Sequence, residues 1–122
     1  MEDILKAAVA MALDKKAIDP VILDTAALTP ITDYFMICGG QTTTHVSAIV
    51  DFLQRELDRL GLRLLHKEGA REARWVLLDY GWLVVHVMLR QERDFYQLER
   101  LWHDARRVQF GDDGGQKSGM TP

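Results

Sequence analysis

Cysteine is almost missing from this 122-residue chain. The single thiol, Cys38, cannot close a disulfide within the chain, and thiols alone cannot build a metal site. Long apolar runs are missing too: the longest are a few residues, far below the ~20 needed to cross a bilayer. The N-terminus opens with acid, Met1-Glu2-Asp3-Ile4-Leu5-Lys6, where a secretory signal would carry a basic segment followed by an apolar one. These absences favour a reducing cytoplasm. A basic excess is lacking as well: 15 Lys+Arg stand against 18 Asp+Glu, a formal charge of −3. Proteins that coat nucleic acid usually carry a basic face, so that class is disfavoured, whereas a basic protein partner is not.

Catalytic signatures are equally scarce. There is no G-x-G-x-x-G and no G-K-[ST], which excludes the dinucleotide fingerprint and the P-loop. No G-x-S-x-G surrounds Ser47, which falls inside a helical pattern. The four histidines, His45, His66, His86 and His103, lie on different elements without H-x-x-x-H or H-x-H spacing, so no metal is assigned. His86, among Val84, Val85 and Val87, reads as a partly buried structural imidazole. Gly39-Gly40 stands at a strand-to-helix junction where backbone amides can hold phosphate. With Asp51 downstream it resembles the start of a nucleotidyltransferase pattern, but Asp51-Phe52-Leu53 lacks the second carboxylate that two-metal phosphoryl chemistry needs. A nucleotide-binding or residual nucleotidyltransferase enzyme is therefore only the alternative reading, and neither a cofactor nor a catalytic residue is expected.

What the chain does have is the composition of an ordinary folded domain, 48% apolar and 27% charged, with a length suited to one domain. Ile4, Leu5, Ala8, Met11 and Ala12 predict a first helix capped by Asp3. Val21-Ile22-Leu23 and Tyr34–Cys38 read as strands, the second stopped by Gly39-Gly40. Val46, Ile49, Val50, Leu53, Leu57 and Leu60 form an apolar stripe after Thr42-Thr43-Thr44, and Gly61 closes that helix. Strands over Arg63–Lys67, Arg74–Asp79 and Leu83–Leu89 follow, the last two joined through Tyr80-Gly81-Trp82. Asp94 caps a last helix with Phe95, Leu98, Leu101, Trp102 and Ala105 on one face. Residues 111–122 lack apolar periodicity and are expected to be a disordered tail beyond a domain over 1–110.

The order α-β-β-α-β-β-β-α predicts an α/β fold with a mixed five-stranded sheet and packed helices. Alternation puts Trp75, Leu77 and Asp79 on one face of their strand and Val76, Leu78 and Tyr80 on the other. Both faces are apolar, and three helices are few to cover both. Some of the sheet should stay open for a partner. Trp and Tyr are frequent binding anchors, and Trp75 beside Asp79 and Glu68 would suit a basic, partly apolar protein surface.

At these residues the chain resembles the Iojap family of ribosomal silencing factors. The likeness runs from Asp24–Leu28 through Ile31-Thr32-Asp33-Tyr34-Phe35-Met36-Ile37-Cys38-Gly39-Gly40 and Thr44-His45-Val46. It continues through Glu68-Gly69, Trp75–Gly81 and Val84–Val87, and ends with Arg93–Trp102. The segments occur in the family's order over nearly all of residues 3–106. The resemblance implies a nucleotidyltransferase-like fold without the catalytic carboxylates. It further implies binding to the large ribosomal subunit through ribosomal protein L-fourteen, with steric blocking of subunit association and repression of translation under nutrient limitation. On that reading the chain is not an enzyme, and its contact surface is expected on Trp75, Leu77, Asp79, Tyr80, Glu68, Asp33 and Tyr34. A homodimer of the free protein is also implied. Trp82 stands where many relatives carry a small or acidic residue. Arg100, Arg106 and Arg107 are candidates for a peripheral ribosomal RNA contact.

Overall fold

In the computed structural model, which describes residues 2–109, helices lie on both faces of one mixed sheet. The elements are α1 (Glu2–Asp14), β1 (Ile18–Asp24), β2 (Tyr34–Gly40), α2 (Thr43–Arg59), β3 (His66–Glu68), β4 (Trp75–Asp79), β5 (Leu83–Leu89), α3 (Arg90–Tyr96), α4 (Leu98–Leu101) and β6 (Arg106–Arg107). The sheet order is β3-β4-β5-β2-β1-β6. Only β2 and β5 pair in parallel, from Tyr34↔Leu83 to Gly40↔Leu89; the other pairs are antiparallel. The expected mixed sheet is therefore present, with one strand more than the five predicted. Arg106–Arg107 is too short and too polar to show a period-two pattern, and it becomes a strand by pairing with Leu23 and Asp24. The tail over 111–122 lies outside the described residues.

One face is the main core. Val46, Ile49, Val50, Leu53 and Leu57 of α2 are all buried there with Leu5, Ala8 and Ala12 of α1. Burying such an aliphatic side chain contributes about 1.5–3 kcal/mol, so the α2 stripe is the strongest local determinant of the fold. Thr42 caps the helix by accepting from the His45 backbone N–H at 3.0 Å. His45 adds a second tie: its Nδ1 accepts from the Gln41 N–H at 2.9 Å, while Nε2 meets the Lys15 carbonyl at 2.8 Å. The start of α2 is thereby fastened to the turn after α1.

Gly39 and Gly40 do not stop the second strand; they are its last two residues. A Cβ at Gly40 would stand 2.7 Å from Val46 Cγ2 and 3.1 Å from its backbone N, whereas one at Gly39 would make ordinary contacts. Gly40 is therefore required by the close approach of α2 to the end of β2.

The largest departure is at the C-terminal helices. Instead of one helix from Asp94, α3 begins at Arg90, Gln97 adopts a left-handed conformation with φ 48°, and α4 follows as a single turn. The cause is Arg93, a buried guanidinium that donates to the carbonyls of Ile18 (2.8 Å) and Asp19 (2.9 Å) and to both carboxylate oxygens of Glu99 (3.2 and 2.8 Å). Those carbonyls are free because β1 is irregular between Ile18 and Val21, with Pro20 inside it and Asp19 at φ 46°. Burial opposes the charge of Arg93, but hydrogen bonding and attraction from Glu99, with Asp19 nearby, keep it protonated. In return, the hydrogen bonds from Arg93 hold the Glu99 carboxyl below the usual range.

Candidate protein-binding face

The second face of the sheet is only partly roofed. Leu98, Trp102 and Ala105 cover Val21 and Leu23 of β1, Ile37 of β2 and Met88 of β5. Beyond them, on the β3–β4 side, the cover among the described residues thins to Tyr96 at the end of α3, which packs on Trp75. Trp75, Leu77 and Asp79 of β4 are half-buried there, and Glu68 is exposed opposite Leu77. The shortage of helices anticipated from the sequence is thus located at this end of the sheet.

A row of six rings runs from the covered half of this face into the open half. Trp102 meets Phe35 (centroids 5.0 Å apart), Phe35 meets His86 (5.0 Å), and His86 meets Trp75 (6.0 Å). Trp75 then meets Tyr96 (5.1 Å), and Tyr96 meets Phe95 (5.0 Å). Aromatic pairs at these separations add about 0.5–1.5 kcal/mol each beyond their buried area, so the row is a stiff support. Trp75 is fixed further by its indole N–H, which donates to His86 Nδ1 at 3.0 Å. Gly69 contributes from the next strand. It has φ 83°, and a Cβ there would overlap the Trp75 carbonyl at 2.0 Å, so only glycine lets the β3–β4 connection pass so near the Trp75 backbone.

His86 is more fully buried than the partly buried imidazole expected from its valine neighbours, at 5% exposure. Because Nδ1 accepts from Trp75, the ring proton sits on Nε2, which has no partner. Burial pushes the imidazole pKa down to about 4 from 6.5. Below pH 6.5 the unfolded chain therefore binds a proton that the folded chain refuses, so stability falls with acid between about 6.5 and 4 and is unaffected by this group above that window. Over the full window the wild-type protein is expected to lose about 3 kcal/mol more than His86→Phe. Urea denaturation at neutral pH and near pH 4 measures this difference, in which the acid response of Glu99 cancels because both proteins carry it. Equal losses in the two proteins would mean that His86 protonates freely in the fold.

The predicted contact residues divide between the two faces. Trp75, Leu77, Asp79 and Glu68 come together on the open half. Asp33 lies just before β2, and its N–H and that of Tyr34 both donate to the Trp82 carbonyl, at 3.1 and 3.0 Å. This carbonyl ties the 25–33 loop to the β4–β5 turn. Asp79 spends one carboxylate oxygen on that turn, accepting from the Gly81 N–H at 2.8 Å. Tyr80 and Tyr34 belong to the other face. Tyr80 is 5% exposed within the α2 core, and Tyr34 packs at the edge of that core, edge-to-face with Trp82 at 6.2 Å. Alternation along β4 already separates Tyr80 from Trp75, so the two cannot share one flat contact.

Sequence reasoning missed Phe95, Tyr96 and Leu101. The spacing places Phe95 and Leu101 on one helix face with Leu98, but α3 ends at the left-handed Gln97 between them, and Phe95 is 78% exposed, Tyr96 48% and Leu101 73%. One signal was available: Phe95 and Tyr96 are adjacent, and adjacent helical residues do not share a face. Phe95 and Tyr96 continue the half-buried Trp75 into an aromatic surface, and Glu68 stands opposite Leu77 on the neighbouring strand. Among the described residues no group of three His, Cys, Asp or Glu side chains is placed to hold a metal ion, and no helix is long and apolar enough to cross a membrane.

Comparison with known proteins agrees with this architecture. A family model described as "Ribosomal silencing factor during starvation" matches residues 1–121. The Bacillus subtilis ribosomal silencing factor is 43% identical over 104 residues, which is 85% of this chain and 88% of that protein. A mouse protein named for mitochondrial assembly of the ribosomal large subunit is 38% identical over 74 residues, covering 58% of this chain and 32% of its own length. The crystal structure of a Chromobacterium violaceum protein superposes with a TM-score of 0.80 at 34% identity, covering 90% of this chain and 91% of that one.

Proposed function

Because this chain belongs to the ribosomal silencing factor family, we propose that it docks on the large ribosomal subunit through the open β3–β4 half of its sheet and keeps the small subunit from joining. The partner is ribosomal protein L-fourteen, contacted by Trp75 and Leu77 at the centre and by Glu68, Asp79 and Asp33 around them. Tyr34 and Tyr80 support that surface from behind. The observation that carries this reading is the unroofed end of the sheet. A half-buried tryptophan, held between His86 and Tyr96, is left in reach of solvent, with Glu68 and Asp79 on the same half of the sheet. Such a surface fits a protein that is basic and partly apolar better than it fits a polyanion.

The mechanism is occlusion and involves no bond-making. A domain of this size needs one anchoring patch and enough bulk to overlap the incoming subunit. The mouse relative's name, which refers to assembly of the ribosomal large subunit, points to the same subunit as the target. Arg100, Arg106 and Arg107 lie along the α4–β6 border, where a peripheral contact to ribosomal RNA would add a salt-dependent component. Self-association of the free protein through the same open face would hide the apolar surface until a ribosome is met.

A subunit-joining assay tests the reading. Purified subunits are mixed with increasing protein and resolved on a sucrose gradient. The expected result is loss of the joined peak, with the protein migrating in the large-subunit fraction. Unchanged joining at saturating protein would overturn it.

A further inference from the structure

Trp75 and His86 are diagonal neighbours on the second face of the sheet. In the β4–β5 register Trp75 stands opposite Met88 and His86 opposite Leu77, which puts the two rings within reach of one another. An indole N–H only donates, so His86 Nδ1, 3.0 Å away, carries the lone pair and the ring proton is on Nε2. That second N–H has no partner among the described residues, although His86 is buried. The Phe35 ring packs edge-on against the same imidazole at 5.0 Å.

As a contribution to stability the arrangement is close to neutral. One hydrogen bond is gained and one buried donor is left unsatisfied, a cost that an apolar ring of similar shape would avoid. What an apolar ring could not supply is an acceptor for Trp75. The consequence lies at the surface. Nε1 is the only polar atom of the indole, and it is turned to a buried ring. Whatever this half-buried side chain leaves in reach of solvent is therefore carbon. Tyr96 packs on the indole at 5.1 Å with the planes tilted by 49°, so the ring is held by α3 as well as by β5. Without an acceptor at position 86, the indole N–H would find a partner only by turning toward water, and the surface would gain a donor and lose its fixed orientation.

We infer, resting on the docking reading proposed above, that His86 is a positioning residue: by accepting from the Trp75 indole it holds that ring in one orientation and makes it a purely apolar anchor. The spot that Trp75 meets on the partner is then apolar and needs no acceptor for the indole. Holding the ring in advance also removes the ordering of one side chain from the cost of binding, an advantage of about fivefold in affinity.

Two measurements test this, the first without ribosomes. In the nitrogen-labelled full chain, Trp75, Trp82 and Trp102 are the sources of indole N–H signals, and Trp75→Phe identifies the one that disappears. The Trp75 indole proton is expected to exchange slowly with water, and His86→Phe to speed its exchange and shift it upfield. The second is a double-substitution cycle read by co-sedimentation with large subunits. His86→Phe should weaken binding about fivefold, with stability near neutral pH unchanged or higher, and should have no further effect in a Trp75→Phe background. His86→Leu, which also lacks an acceptor, should match it. A residue that only packs would lower affinity by the same factor in both backgrounds. That additive result overturns the inference, as does a Trp75 indole proton that exchanges freely in the wild type. So does wild-type binding by His86→Phe where Trp75→Ala is weakened; docking through Trp75 stands in all three cases. Wild-type co-sedimentation of Trp75→Ala, by contrast, overturns docking through Trp75 and the role of His86 together.

Discussion

Replacing Trp75 by alanine is expected to lower affinity for the large ribosomal subunit about thirtyfold or more, corresponding to loss of about 2 kcal/mol at a central aromatic anchor. Trp75 is both the centre of the exposed patch and a member of the ring row, so truncation removes contact area and loosens Tyr96 beside it. Two further variants separate contact from support. Leu77→Arg adds a charge to the open half without disturbing the row, and it should weaken docking on a basic partner to a similar extent. Asp51→Asn, on the α2 face, should dock as wild type. Co-sedimentation with purified large subunits reads all three, with circular dichroism confirming the fold. Wild-type co-sedimentation of both Trp75→Ala and Leu77→Arg would show that the contact lies elsewhere.

The largest expected effect on stability is at Arg93. Arg93→Ala leaves Glu99 without its main partner and the carbonyls of Ile18 and Asp19 without donors, all beneath α3 and α4. Breaking one side of a buried, hydrogen-bonded pair costs about 3–5 kcal/mol, which lowers the melting temperature by roughly 10 °C or more. Replacing Arg93 and Glu99 together by methionine removes the uncompensated charge and should recover much of that loss. Thermal and urea unfolding measure both. A loss near ~1 kcal/mol for Arg93→Ala, the scale of an exposed pair, would mean that the C-terminal helices are held by their apolar contacts alone.

The two predictions are linked. Arg93 holds α3 against the Ile18–Asp19 turn of β1, α3 ends at the left-handed Gln97, and Tyr96 in its last turn packs on Trp75. A chain that loses Arg93 but stays folded should therefore also bind less well, although Arg93 itself is on the inside of the helix pair.

Some of this was written locally. The α2 stripe after a run of threonine caps, the β4–β5 hairpin and the alternation of Trp75, Leu77 and Asp79 each depend on residues within a few positions of one another, and the periodicities of 3.6 and 2 carry them, though only the fold selects Thr42 among the three threonines. The family was legible for the same reason, since its segments lie in order along the chain. The burial of His86, though not its full extent, followed from its valine neighbours. The strand through Gly39-Gly40 was not legible, because glycine at a strand end looks like a stop until Val46 is seen filling the space above it.

The sequence by itself determined an α/β domain with an acidic balance, a tryptophan-bearing strand and too few helices to cover both faces of its sheet. Only the tertiary structure decided which part of the sheet stays open, that Tyr80 and Trp75 stand on opposite sides of it, and that Phe95 and Tyr96 turn outward. The physical reason is range. Amphipathic patterns are set by neighbours in the chain. The roof over the second face, by contrast, is set by one guanidinium bonding carbonyls 74 and 75 residues away, a pairing that leaves no periodic trace in the sequence.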